Sequence, residues 1–273
     1  MDVRLGSLQR AFSYIHAKPG GRRPPFLCLC ALLGLVSGVA EERRVEVAER
    51  LEAVRGRIAA ACDAAGRATS EVTLIAVTKT YPVSDIALLA GLGVTDIGEN
   101  RDQEAAPKAA ESAALGLPLT WHFVGQLQTN KAASVVSYAD VIHSVDRVRL
   151  VRAVGSRARA AGRGLTCLVQ ISLDDDPERG GAFGPDVAAV ADAIAAEEGL
   201  FLGGVMAVAP LGWEANRAFE KLRKIADAVR AAHPDAVMIS AGMSGDLEPA
   251  IEAGATHVRI GTALLGGRRA FVR

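Results

Sequence analysis

The apolar and polar positions of this chain fall into two alternating periods from residue 41 onward. Between Glu41 and about Arg67, Val47, Leu51, Val54, Ile58 and Cys62 recur at steps of four, three, four and four, with charged residues between them. That is the stripe of an amphipathic helix, and Gly66 supplies its stop signal. The run Val72 to Lys79 follows, apolar without alternation, which suits a strand buried on both faces. Pro82-Val83-Ser84-Asp85 then makes a turn and a helix start, with Ile86, Leu88, Leu89 and Leu92 as the buried face.

The same unit repeats. Further strands are predicted at 94–100, 120–125, 141–146, 166–172, 203–210, 236–241 and 257–263, with helices between them at about 101–115, 130–137, 147–162, 185–198, 213–232 and 246–254. Eight strand–helix units without a hairpin turn signal predict parallel strands, and eight is the number that closes a (β/α)8 barrel. An open doubly wound sheet is the competing arrangement, but the first strand lacks the G-x-G-x-x-G turn of its dinucleotide-binding versions. The predicted fold is therefore α/β: a single (β/α)8 TIM barrel over residues 41–273 with an extra N-terminal helix.

Residues 1–40 stand apart as an N-terminal extension. Arg22 and Arg23 precede two prolines and an uncharged run from Phe26 to Ala40, which ends Gly38-Val39-Ala40 before Glu41-Glu42-Arg43-Arg44. The run is short for a bilayer span and signal-like in pattern. The long segment ahead of it and the lack of a disulfide framework favour a disordered or mis-started extension over export. Lys plus Arg equals Asp plus Glu at 31 each, which removes any electrostatic footprint for nucleic acid or an anionic membrane. The four cysteines (Cys28, Cys30, Cys62, Cys167) form no C-x-x-C pair and no metal-like cluster, and are expected to be free thiols.

Barrel chemistry sits at the carboxyl ends of strands. The first strand places Lys79 there, where apolar surroundings would desolvate its amine and make it nucleophilic. A lysine snorkelling to solvent is the plainer reading. After strand seven, Ser240-Ala241-Gly242-Met243-Ser244-Gly245-Asp246 leads into a helix, so backbone N–H groups would point at an anion. Gly261-Thr262 after strand eight supplies the other half of a phosphate grip; a turn with Ser244 or Asp246 as N-cap is the competing reading. Arg259, between Val258 and Ile260, is predicted to face the barrel interior. It needs a partner there, either Glu99 or a ligand heteroatom. His122 and His143 read as satisfied core histidines, and no spacing supports zinc. Glu104, Lys108 and Glu111 read as a solvated helix face. An amine-bearing lysine, a phosphate grip and an inward arginine together fit a phosphorylated aldehyde cofactor held as a Schiff base, pyridoxal 5'-phosphate (PLP).

The segments LIAVTKTYP (74–82), DIGENR (96–101), WHFVGQLQTNK (121–131), HSVD (143–146), GVMAVAP (204–210) and GMSGDLEPAIEAGATHVRIGTALLG (242–266), in this order, resemble the pyridoxal phosphate homeostasis protein family. These proteins are single-domain relatives of the amino-terminal barrel of alanine racemase, and the resemblance runs from about Glu41 to Arg269. It implies that Lys79 carries PLP covalently, that Asn100 lies near the ring's phenolic oxygen, and that Arg259 faces the pyridine nitrogen. It implies phosphate contacts from Ser240, Gly242, Met243, Ser244, Gly261 and Thr262. Ala241, Ser172 and Arg179 depart from the residues frequent in the family, and residues 1–40 lie outside its pattern.

Arginine cannot give a proton to the ring nitrogen, and no second domain follows the eighth strand to supply a racemase tyrosine. Of Tyr14, Tyr81 and Tyr138, only Tyr81 is placed near the mouth. The expectation is a PLP holder in intracellular PLP homeostasis, with little or no turnover. It would exchange its cofactor with apo PLP-dependent enzymes or free amino acids, and would be cytoplasmic and a monomer or weak homodimer. It would associate neither with nucleic acid nor stably with membranes. The alternative is a weak PLP-dependent amino-acid racemase using Tyr81 or a histidine; a cofactor-free aldolase using Lys79 is a third reading.

Overall fold

A computed structural model describes residues 26–174 and 180–267, with side chains described from Ala40 onward. Eight strands, β1 (Thr73–Val77), β2 (Asp96–Glu99), β3 (Thr120–Phe123), β4 (Val141–Val145), β5 (Leu165–Gln170), β6 (Leu200–Met206), β7 (Met238–Ser240) and β8 (His257–Ile260), close into a barrel in sequence order. Every pairing is parallel, and β8 returns beside β1 with Ile75 opposite Arg259. The helices alternating with them are α2 (Val83–Gly91), α3 (Asp102–Ala114), α4 (Ala132–Tyr138), α5 (Val148–Ala161), α6 (Pro185–Ala196), α7 (Ala215–Ala232), α8 (Leu247–Glu252) and α9 (Thr262–Leu265). The predicted barrel is the observed one.

The extra helix, α1 (Phe26–Ala64), starts well before the predicted Glu41. The chain divides into two compact units, residues 1–45 and 46–273. In the first, α1 carries an exposed Arg44–Glu41 pair. In the second, the predicted stripe Val47, Leu51, Val54, Ile58 and Cys62 is buried. It shares one apolar cluster with Ala76, Ile97, Trp121, Val258 and Ile260. Each such side chain contributes about 1.5–3 kcal/mol by leaving water, so this stripe fixes residues 46–64 of α1 against the outer side of β1, β2 and β8. A second cluster centred on Ile142, Leu165, Val169, Val190 and Phe219 joins the remaining strands to their helices.

The expectation for residues 1–40 falls largely on residues outside those described, as do Tyr14 and Arg179. Among the described residues no helix is long and apolar enough to cross a membrane, and no cluster of ligands could hold a metal ion. Cys62 and Cys167 are buried free thiols, as predicted.

Candidate functional site

Strand order brings the predicted residues to one mouth. The carboxyl ends of β7, β8, β1 and β2 are consecutive around the barrel, so the Ser240–Asp246 loop, Gly261-Thr262, Lys79 and Asn100 follow one another.

Lys79 stands beyond the strand rather than in it. β1 ends at Val77, Thr78 is buried, and Lys79 is exposed in the turn that follows. The expected desolvation of its amine by an apolar strand is therefore corrected, because the two-residue overhang lifts the side chain clear of the packed interior. The turn itself is strained. Thr80 has φ +69°, the one positive value at a non-glycine among the described residues. For a β-branched residue that conformation costs on the order of 1–3 kcal/mol, and such strain persists only where surroundings impose it.

Those surroundings are α3. The Thr80 N–H donates to Glu104 Oε2 at 3.0 Å, and Lys108 Nζ donates to the Thr78 carbonyl at 2.8 Å and to Glu99 Oε1 at 2.6 Å. Thr78 Oγ1 donates to the same Glu99 oxygen at 2.7 Å. Glu99 is fully buried, and burial pushes its carboxyl above the ordinary value against the pull of Lys108. The predicted solvated face of Glu104 and Lys108 is thus corrected: both turn inward and clamp the Lys79 turn, while Glu111 remains exposed. The i,i+4 spacing fitted a surface pair equally well. A buried carboxylate one residue before Asn100 was the signal that one of these charges had to turn in.

Asn100 closes the mouth beside β2. Its Oδ1 is buried without a hydrogen-bond partner among the described residues. Its backbone approaches Gly125 so closely that a Cβ there would lie 2.0 Å from the Asn100 carbonyl oxygen. Sequence reasoning missed the role of Gly125.

Arg259 faces inward, as predicted, and is 5% exposed. Its Nη1 donates to Ser240 Oγ at 2.7 Å and its Nη2 to the Ala207 carbonyl at 2.9 Å. The alternative ion pair with Glu99 is not formed, since Lys108 holds that carboxylate. Burial pushes the guanidinium down to about 10, opposed through space by Asp246. Among the described residues, no carboxylate pairs with Arg259 directly.

Ser240, grouped in the sequence with the phosphate loop, lies fully buried between Arg259 and His143 Nδ1, the latter at 2.9 Å. His143 and His122 are hydrogen-bonded core histidines, as predicted. The loop above is the predicted anion grip. Ser244 Oγ accepts from the Ala263 N–H at 3.3 Å and from Thr262 Oγ1 at 3.4 Å, tying together the two predicted halves of the anion grip. Arg57 from α1 donates to the Ser244 carbonyl at 3.0 Å and is anchored by Glu248 at 2.7 Å. Gly242 has φ +87°, and a Cβ there would lie 2.7 Å from the Ala250 Cβ, so only glycine lets the loop fold onto α8. The Met243 N–H is already taken by Asp246 Oδ1 at 2.6 Å, with the Met243 side chain exposed. The Ser244 and Gly245 N–H groups have no partner among the described residues.

Tyr81 does not offer a free phenol to the mouth, because its hydroxyl donates to the Gly266 carbonyl at 2.7 Å. A cavity of about 480 Å³ between α6 and α7, lined by Phe183, Ala188, Lys221 and His233, includes none of the predicted residues. The convergent polar groups are instead at the mouth.

This barrel, with a lysine turn, an inward arginine and a hydroxyl-lined loop pair at one mouth, belongs to the class of the alanine racemase amino-terminal domain, whose family model matches residues 50–269. The pyridoxal phosphate homeostasis protein of Mycobacterium tuberculosis is 44% identical over 246 residues, covering 84% of this chain and 95% of that one. Its counterpart in Escherichia coli K12 is 38% identical, covering 82% and 97%. The structure of PipY of Synechococcus elongatus with PLP bound is 34% identical, with a TM-score of 0.71, over 81% of this chain and 100% of that one. The chain belongs to the pyridoxal phosphate homeostasis protein family.

Proposed function

We propose that this chain binds PLP at the barrel mouth, carried covalently by Lys79, and serves PLP homeostasis with little or no turnover. One observation carries the reading: among the described residues Arg259 is a buried guanidinium with neutral hydrogen-bond partners and no directly paired carboxylate. An unpaired charge is costly to bury, and an aromatic nitrogen acceptor is the partner that such a donor lacks. The other open groups fit the same ligand. The Ser244 and Gly245 N–H groups with the Ser244 hydroxyl, which Thr262 braces, suit a phosphate, and the unpartnered Asn100 Oδ1 suits a ring hydroxyl. When bound, PLP supplies an aldehyde that condenses with a primary amine.

The protein's own residues hold rather than react. Arg259 donates without giving up its proton, so a ring nitrogen facing it stays unprotonated and draws electrons weakly. Tyr81 is committed to a backbone carbonyl, and His122 and His143 lie in the buried interior, so none stands ready as a second proton donor. An exposed Lys79 supports the reading that the cofactor is exchanged with free amino acids or apo PLP-dependent enzymes. A monomer or weak homodimer of residues 41–273 suffices, since all these groups come from one chain.

The test is incubation of the PLP-loaded protein with L-alanine and assay for D-alanine. The reading predicts a PLP absorption band that amino acids perturb, with no mirror-image product above the level of free PLP. Sustained, Lys79-dependent racemisation would replace the holder by a racemase.

A further inference from the structure

Barrel interiors of this fold are ordinarily filled by branched apolar side chains. Here a line of polar groups crosses the interior instead. Asp96 opens β2, His122 lies in β3, His143 in β4, Ser240 ends β7, and Arg259 lies in β8. Asp96 Oδ1 is 3.0 Å from His122 Nε2, and His122 Nδ1 is 2.9 Å from His143 Nε2. His143 Nδ1 is 2.9 Å from Ser240 Oγ, which accepts from Arg259 Nη1 at 2.7 Å. Four consecutive hydrogen bonds thus join a carboxylate at the amino-terminal end of the barrel to the guanidinium below the mouth.

The two ends determine the direction of every link. A guanidinium only donates, and an ionised carboxylate only accepts. Asp96 accepts from His122 Nε2, which leaves His122 Nδ1 to accept from His143 Nε2 and His143 Nδ1 to accept the single Ser240 hydrogen. His143 then carries its hydrogen on Nε2 and donates to His122 Nδ1, and His122 carries its own on Nε2 and donates to Asp96. Any other pair of neutral tautomers leaves one link with two hydrogens or with none. Burial pushes the Asp96 carboxyl up, but the hydrogen bond from His122, the charge His122 carries when protonated, and smaller contributions from Thr95 and His257 hold it below the ordinary range, which makes it the accepting end. Burial first, then the Arg259 charge and the charges that His122 and His257 carry when protonated, push His143 well below the ordinary histidine value. The groups acting on the two imidazoles are Asp96 from β2 and His257 and Arg259 from β8, the His257 ring lying 6.4 Å from that of His122. Asp96 is 25% exposed and, with Arg55, Thr95 and Leu74, lines a cavity of about 370 Å³ outside the interior. Protons from solvent therefore reach the carboxylate end of the chain.

We infer that His122 and His143 are positioning residues which, grounded on Asp96, hold Ser240 and Arg259 in one donor direction, and that a second proton on His122 reverses the chain. With hydrogens on both nitrogens, His122 donates to His143 Nε2. His143 stays neutral but moves its hydrogen to Nδ1 and donates to Ser240. Ser240 then accepts from both His143 and Arg259, and its own hydrogen turns to a third acceptor. The net change is one proton gained at His122, sensed at the residue set against the cofactor ring. That last coupling rests on the PLP reading; the orientation of the chain does not.

Nitrogen-15 NMR of the ligand-free protein reads the tautomers, with each ring assigned by single substitution. Both His122 and His143 are expected as Nε2–H tautomers near neutral pH, and an Nδ1–H form of either overturns the inference. On acidification His143 changes to Nδ1–H at the same midpoint at which His122 takes up its proton. The absorption band of the PLP-loaded protein shifts at that midpoint as well. Asp96→Asn, which keeps an acceptor oxygen and removes the charge, moves the His143 tautomer change to lower pH; a folded variant in which that change does not move, or a band that ignores it, overturns the inference. A wild-type protein that forms no PLP band refutes the PLP reading alone, and the tautomers still decide the relay.

Discussion

Lys108 Nζ lies 2.6 Å from Glu99 Oε1 and 2.8 Å from the Thr78 carbonyl, so one ammonium on α3 neutralises the buried carboxylate and pins the residue before Lys79. Removing one partner of a buried pair leaves an uncompensated charge, which typically costs about 3–5 kcal/mol. Lys108→Met is therefore expected to lose about that much stability by urea denaturation at neutral pH. Because burial already raises the Glu99 carboxyl, that carboxyl protonates readily in the variant, and the loss shrinks at mildly acid pH. A loss that does not depend on pH would place the effect elsewhere.

Thr80 at φ +69° is held by the Glu104 contact. Thr80→Gly relieves on the order of 1–3 kcal/mol of strain and gives back about 0.5–1 kcal/mol of unfolded-state entropy. The expected outcome is a small rise in melting temperature together with weaker PLP binding, because the turn that aims Lys79 loosens. Calorimetry and a PLP titration read the two opposite signs; a fall in both would show that the strain is not stored in this turn.

Arg259→Met separates ligand binding from folding. The substitution loses hydrogen bonds to Ser240 and Ala207 but also removes a buried charge, and such terms largely cancel. The melting temperature is expected to stay within about 4 °C, while PLP affinity falls tenfold or more in an absorbance titration.

His257 is pushed down to about 4 by burial, and His143 lies well below the ordinary histidine value. The unfolded chain protonates both near 6.5, so the stability they contribute is fully present above that value and is lost as the pH falls towards about 4. At about 1.4 kcal/mol per unit, His257 accounts for on the order of 3 kcal/mol. Denaturation midpoints measured between pH 7 and 4 should decline, and His257→Phe should flatten the decline.

The barrel was legible in the sequence because apolar runs such as LIAVT and VIHSV can be satisfied only by strands covered on both faces. Lys79, Arg259 and the Ser244–Thr262 pair were legible because polar residues at strand ends converge once eight units close. The interior relay was not, since Asp96, His122, His143 and Ser240 are far apart in the chain and meet only through closure. Lys108 was misplaced for a related reason: spacing along a helix says which charges share a face, not whether that face turns to solvent or to an unpaired buried carboxylate.

Reduction of the PLP-incubated protein with borohydride, followed by peptide mapping, tests the central claim most directly. The prediction is one pyridoxyl group per chain, on Lys79, with Lys79→Ala unlabelled and without a PLP band. Labelling spread over surface lysines, or a Lys79→Ala protein that keeps the band, would contradict it.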